Sequence, residues 1–165
     1  MKISLTPQMC YLLGLHDGAP SRDGFGVFGP PAMLDAFCAG LENSGLAKPG
    51  SIRRDSMRAW IEHAAYESFF RKAHAQRLER FKGKNDYSAN YLAGLLDSCG
   101  FLLPDLPKGK KAFGFSGRDQ KDEVLFLRLG FKAKVEKKTL LVADFDGSFS
   151  AFVKPHSLVK KDILA

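Results

Sequence analysis

Among the residues able to do chemistry in this chain of 165, only the acids fall into a repeat. Tyr11-Leu12-Leu13-Gly14-Leu15-His16-Asp17 recurs eighty residues on as Tyr91-Leu92-Ala93-Gly94-Leu95-Leu96-Asp97, with Tyr, Leu, Gly, Leu and Asp in the same order and spacing. Asp17 and Asp97 therefore hold equivalent points of two copies. Carboxylates can bind divalent cations. Both acids also sit where a helix gives way to a turn, and local helix-end hydrogen bonding is their expected role. The other reactive types form no pattern. Cys10, Cys38 and Cys99 lack metal-ligand spacing, and so do His16, His63, His74 and His156, which read as surface or helix-packing residues. Nothing places a base beside Cys99, and no glycine-rich phosphate loop is present. Asp144 and Asp146 flank what reads as a hairpin turn at Asp146-Gly147.

The elements that must position these residues also come in two sets. Thr6-Pro7 opens a helix running to about Gly18, and Asp86 opens its counterpart. Gly and Ala at matched points of two apolar helices let backbones approach, so Leu13, Gly14, Ala93 and Gly94 are expected at a shared seam. In the first half a strand at Phe25–Phe28 precedes a helix from Pro31 with Met33, Leu34, Phe37 and Leu41 at helical spacing. A hairpin over 51–63 then sets Met57, Ala59 and Ile61 against Arg58, Trp60 and Glu62, and a helix spans about 65–81 with its Arg and Lys outward. Lys82-Gly83-Lys84-Asn85 links the halves, 1–84 and 85–165. The second half reads as a strand at 112–116, a helix over 122–129 and a basic strand at 131–135. A hairpin of 137–144 with 148–154 follows, and Ser157 caps a last helix. The expected class is α+β, two pseudo-symmetric αβαββα half-domains joined through paired helices, each with an antiparallel sheet.

The totals suit that picture. A hydrophobic fraction of 45% with fourteen Phe provides for a filled core, and a net charge of +7 favours an anionic partner. Three cysteines without an apolar leader predict an intracellular protein, cytoplasmic or nucleoid-associated and not secreted. No stretch approaches a membrane span.

Leu92-Ala93-Gly94-Leu95-Leu96-Asp97-Ser98-Cys99-Gly100 resembles the nine-residue signature of the LAGLIDADG homing endonucleases, with a weaker copy at 12–20. The resemblance extends over nearly the whole chain, because the family's half-domain orders its helices and strands in the same way. It implies two motif helices on a pseudo-twofold axis and sheets forming a saddle over DNA. It also implies that the metal-binding acid is the eighth signature residue, and those positions are Ala19 and Cys99. Ala binds no cation and a thiol is too soft for Mg²⁺; Asp17 and Asp97, at the sixth position, are the fallback acids. The expectation is a nucleic-acid-binding protein, monomeric, without catalytic residues, metal or cofactor, similar to the family's RNA-splicing and transcription-regulator relatives. The first alternative is an endonuclease that cleaves double-stranded DNA with Mg²⁺ and a relocated acid; the second is a protein-interaction scaffold.

On the saddle reading, Arg53, Arg58 and Trp60 line one arm. Lys132, Lys134, Phe152 and Lys154 line the other, and the loop Lys108-Lys110-Lys111 extends the basic track. Arg and Lys would contact phosphates of duplex DNA or structured RNA, and the two aromatic rings would stack on unpaired bases.

Overall fold

A computed structural model describes residues 2–165; Met1 lies outside the described residues. Helix α1 (Pro7–Gly18) starts as Thr6 accepts from the Met9 amide at 3.2 Å with Pro at the first position. Its counterpart α5 (Asp86–Cys99) is capped by Asn85, not Asp86, in a reciprocal box with Ser88. Asp86 is instead the first helical residue, where its charge suits the helix dipole. The two helices pack along each other more extensively than any other pair of elements. They cross where Gly14 meets Gly94. A Cβ on Gly14 would overlap the Tyr91 carbonyl oxygen, and one on Gly94 would overlap that of Tyr11. Leu13 and Ala93 beside them are fully buried.

In the first half, β1 (Phe25–Phe28) is followed by α2 (Pro31–Asn43), β2 (Arg53–Arg54), β3 (Arg58–Ile61), α3 (Ala64–Ala75) and the single turn α4 (Arg77–Arg80). In the second, α5 leads into β4 (Gly100–Leu102), β5 (Ala112–Ser116), α6 (Gln120–Arg128), β6 (Lys132–Glu136), β7 (Thr139–Ala143) and α7 (Ser148–Val153). Antiparallel sheets run β1-β3-β2 and β4-β5-β7-β6. The fold is α+β, with a half-domain built around each motif helix.

Register shows how closely the halves repeat. Gly100 pairs with Phe115 in the second sheet; Pro20 makes a lone bridge to Val27 in the first, at the same distance past its crossing glycine. The first half thus keeps a vestige of β4. Its sheet reads Pro20-β1-β3-β2 against β4-β5-β7-β6. The first half keeps the expected αβαββα order apart from the extra turn α4, and the second reads αββαββα, one strand more, because Gly100-Phe101-Leu102 pairs as a strand directly after the helix.

The second-half hairpin also differs from expectation. Its turn is Lys137-Lys138, both at positive φ (48° and 62°), which suits the twist of a two-residue hairpin. Residues 148–153 form α7, not an outgoing strand. Asp144 accepts from the amides of Phe149 and Ser150 at 2.9 and 3.0 Å and from the Ser150 hydroxyl, so its carboxylate starts a helix. Asp-Gly at 146–147 serves that helix entry. Phe152 and Lys154 consequently lie off the sheet: Phe152 packs beside Phe131 at 5.6 Å. Ser157 caps no helix, and the chain ends in a short 3₁₀ turn, Lys161–Leu164. Met57 is 52% exposed in the β2–β3 turn, outside the inner face of Ala59 and Ile61. The expected third helix breaks at Gln76, and Arg77 turns inward, only 3% exposed.

Stacked rings fill the space between helices and sheets. Phe25 lies on Phe70 with centroids 3.9 Å apart, Phe81 lies on Tyr91 at 4.4 Å, and Phe149 meets Phe113, Phe115, Phe126 and Phe131.

Candidate nucleic-acid interface and helix feet

At the seam, the recurring Tyr and Asp prove to be partners across the two copies. The Tyr11 hydroxyl donates to Asp97 at 2.7 Å and the Tyr91 hydroxyl to Asp17 at 2.8 Å. Burial first, and the facing carboxylates second, push both phenols well above their ordinary range, so they remain donors. The acids are therefore cross-links between the halves, where a purely local role was expected.

The two carboxylates differ in everything else. Asp97 also accepts from the Ser157 hydroxyl at 2.6 Å and from the amides of Leu158, Val159 and Lys160 at 2.8, 3.2 and 3.0 Å. Nearby, the Lys160 ammonium reaches the Gly100 carbonyl. The chain's own tail closes this foot. Asp17 receives Tyr91 and His74 Nδ1 (2.8 Å each) on one oxygen, Oδ2, and among the described residues no hydrogen bond reaches Oδ1.

Beside Asp17 lies a cleft of about 370 Å³. It is lined by α3, α4 and the β5–α6 turn, which supplies Arg118 and Asp119. Arg77 donates to Asp122 at 3.0 Å and to Asp119 at 3.1 Å. Arg118 donates to the carbonyl oxygens of Asp17 and Ser116. No sequence signal singled out Arg77, Arg118 or Asp122, because each reads as an ordinary charge in a polar stretch.

The Mg²⁺ implied by the resemblance does not fit these feet. Ala19 offers no ligand atom. The Cys99 thiol contacts the Leu95 carbonyl at 3.4 Å, and burial pushes its pKa up, so it stays protonated. Asp97 is fully engaged by five donors. Among the described residues, no three of His, Cys, Asp or Glu stand close enough to hold a metal.

The outer sheet faces carry the expected cations in matched rows. Arg53, Trp60 and Gly26 align across the first sheet; Lys134, Leu141, Gly114 and Phe101 align across the second. An added Cβ on Gly26 would meet Trp60, and one on Gly114 would meet the Phe101 ring. Phe101, 40% exposed, is thus the aromatic of the second face, in place of Phe152. No sequence signal marked it, because nothing announced β4 itself. Several cations are paired locally: Arg53 with Glu62 at 3.5 Å, Arg58 with Asp23 and Asp55 at 2.8 and 2.9 Å, and Lys134 with Glu136 at 3.0 Å. Such exposed pairs hold weakly and can exchange partners. Arg58 also lies 4.8 Å over Trp60, and Lys110 lies 5.0 Å over Phe145. Lys108, Lys110 and Lys111 occupy the β4–β5 loop, while Lys132 stands on the β6 edge opposite Ala143. Lys154 directly follows α7.

No family model matches the sequence, and no curated protein matches it. Among solved structures, the chain is similar to one described under "Structures and dynamics of mesophilic variants from the homing endonuclease I-DmoI". The TM-score is 0.57 over 93% of this chain and 96% of that one, at 13% identity. What the two share is the fold. The paired helices and the two antiparallel sheets thus share the fold of that homing-endonuclease structure. Among the described residues, no helix is long and apolar enough to cross a membrane.

Proposed function

We propose that the chain binds nucleic acid across the outer faces of its two sheets and does not hydrolyse it, acting as a DNA-binding regulator or an RNA-splicing factor. One observation carries this reading: two matched rows each combine a glycine with an aromatic residue and end in a cation, on a chain of net charge +7. Cations reach phosphates and set affinity; open rings stack on exposed bases. The fold shared with a homing endonuclease supports the same surface, and Ala19 and Cys99 at the eighth signature positions, with Asp97 filled by five donors, support the loss of cleavage. A single chain already contains both halves, so a monomer suffices.

The test is binding to duplex DNA and to structured RNA over a salt series, with and without Mg²⁺. Arg53→Ala with Lys134→Ala should weaken binding and flatten the salt dependence on duplex DNA by about 0.9 for each phosphate left without its cation. Thermal stability should hold, because both side chains are exposed. Wild-type affinity and slope in the double variant would remove the sheet faces as the interface. Mg²⁺-dependent nicking abolished by Asp17→Asn would establish the nuclease alternative instead.

A further inference from the structure

Past the end of the second sheet the fold assembles a cationic groove of about 610 Å³, whose wall includes Lys110, Lys111, Phe145 and Lys154. Three separate segments meet there: the β4–β5 loop, the turn after β7, and the residue that ends α7. The Asp144 amide donates to the Lys111 carbonyl at 2.9 Å, and the Lys110 amide to the Pro107 carbonyl at 3.0 Å, so the two loop lysines stand on a fixed backbone. Alternation along β7 buries Leu140 and Val142 and turns Leu141 and Ala143 to the outer face, and Phe145 falls on the outer parity. Its ring is 52% exposed although Lys110 already lies 5.0 Å over it. The groove therefore continues the outer face beyond the row that holds Lys134 and Phe101.

Charge separates this groove from the face itself. Arg53, Arg58 and Lys134 are each held by a neighbouring acid, whereas Lys110, Lys111 and Lys154 have no acid within ion-pairing distance among the described residues. Two aspartates line the groove. Asp144 is buried with both oxygens taken by Phe149 and Ser150, and Asp146 accepts from the Ser148 amide at 3.0 Å. The first half builds no equivalent. Its connection over 21–24 sets Arg22 beside Asp23, and since Trp60 matches Leu141 in register, the position of Phe145 falls on Ala64. Free ammonium groups recognise phosphates, and an open ring stacks on a base only where no neighbouring base covers it. We infer that the groove holds a single-stranded extension running off one end of the bound nucleic acid, with a base on Phe145 and its flanking phosphates on Lys110, Lys111 and Lys154. This site deepens the nucleic-acid reading above and rests on it for the path of the ligand along the second sheet.

The experiment follows the anisotropy of a dye-labelled blunt duplex, as DNA and as RNA, and of the same duplex with a short oligopyrimidine extension at a 3′ or a 5′ end. At least one extended duplex should bind about ten-fold tighter than its blunt parent, the scale of one stacked base. Its salt dependence should be steeper by about 0.7 for each phosphate that a lysine holds. Phe145→Leu keeps apolar bulk at an exposed position; it should remove most of the preference while blunt-duplex binding and thermal stability stay unchanged, and Phe145→Trp should restore it. Lys110→Gln with Lys154→Gln should remove the added salt dependence. A free oligopyrimidine strand should compete for the preference, whereas inorganic phosphate and an oligoglutamate peptide at matched ionic strength should not. Equal binding of blunt and extended duplexes, or an unaltered preference in Phe145→Leu, overturns the inference and leaves the sheet faces as the interface. Competition by phosphate or oligoglutamate as strong as by the oligopyrimidine would make the groove a general anion or acidic-peptide site and overturns it too. Phe145-dependent binding of the free strand without any duplex binding supports the groove and sinks the sheet-face reading, whereas no binding of any probe sinks both.

Discussion

Tyr11 and Tyr91 make the same hydrogen bond to very different carboxylates, and that difference sets their energetic weight. Without the Tyr11 hydroxyl, Asp97 keeps four other donors; without the Tyr91 hydroxyl, Asp17 keeps only His74. Tyr91→Phe should therefore destabilise the fold by about 1–3 kcal/mol, the usual cost of stripping a donor from a buried charged group, and Tyr11→Phe by clearly less. Urea denaturation of the two variants checks the order, and equal losses would mean that the tail does not hold Asp97 in solution. At this scale the sequence was informative where it repeated. Tyr and Asp recur in both copies because each copy supplies one half of two symmetric bonds. Arg77, Arg118 and Asp122 recur nowhere, and their burial depends on an inter-half junction that no local pattern encodes.

Helix pairing was legible because close approach restricts residue type. Gly14 and Gly94 each face a carbonyl oxygen of the other helix, so no larger residue fits without moving backbone. Gly94→Leu should cost about 1–3 kcal/mol or more through overpacking, measured as a lower urea midpoint. A variant as stable as the wild type would show that the helices do not cross at this point. Strand reading failed at the other end of the same half, and for a physical reason. Asp146-Gly147 resembles a hairpin turn, but a carboxylate two residues ahead of it, Asp144, gathers the free amides of a helix start. The true turn uses two lysines at positive φ, a conformation their side chains tolerate but do not advertise. Once 148–153 becomes helix, Phe152 leaves the sheet and the second face needs another aromatic, which β4 provides in Phe101.

Across the whole molecule, duplication explains the frame and the differences between copies explain the surface. The shorter connection at 21–24 leaves the first sheet a single bridge at Pro20, whereas the longer loop over 103–111 extends β4 and lifts Lys108, Lys110 and Lys111 beyond the sheet. The overall charge of +7 favours an anionic partner, yet it could not say that Arg53, Arg58 and Lys134 would be paired with neighbouring acids. Those pairs must open before the cations can reach phosphate, so electrostatics alone should yield modest affinity with little preference among ligands. The rings then decide. Trp60 and Phe101 occupy matched rows, and their exposed surfaces can stack only on bases that a regular duplex keeps covered. Stacking of this kind contributes about 1–3 kcal/mol per base. Trp60→Ala with Phe101→Ala should therefore weaken binding to single-stranded or bulged RNA by ten-fold or more, while perfect duplex binding and its salt slope change little. Filter binding of both ligands over a salt series separates the two terms. An equal loss on both ligands would assign the rings to the fold of the sheets, since Phe101 covers Gly114 and Trp60 packs beside Gly24, and would leave the cations as the whole interface.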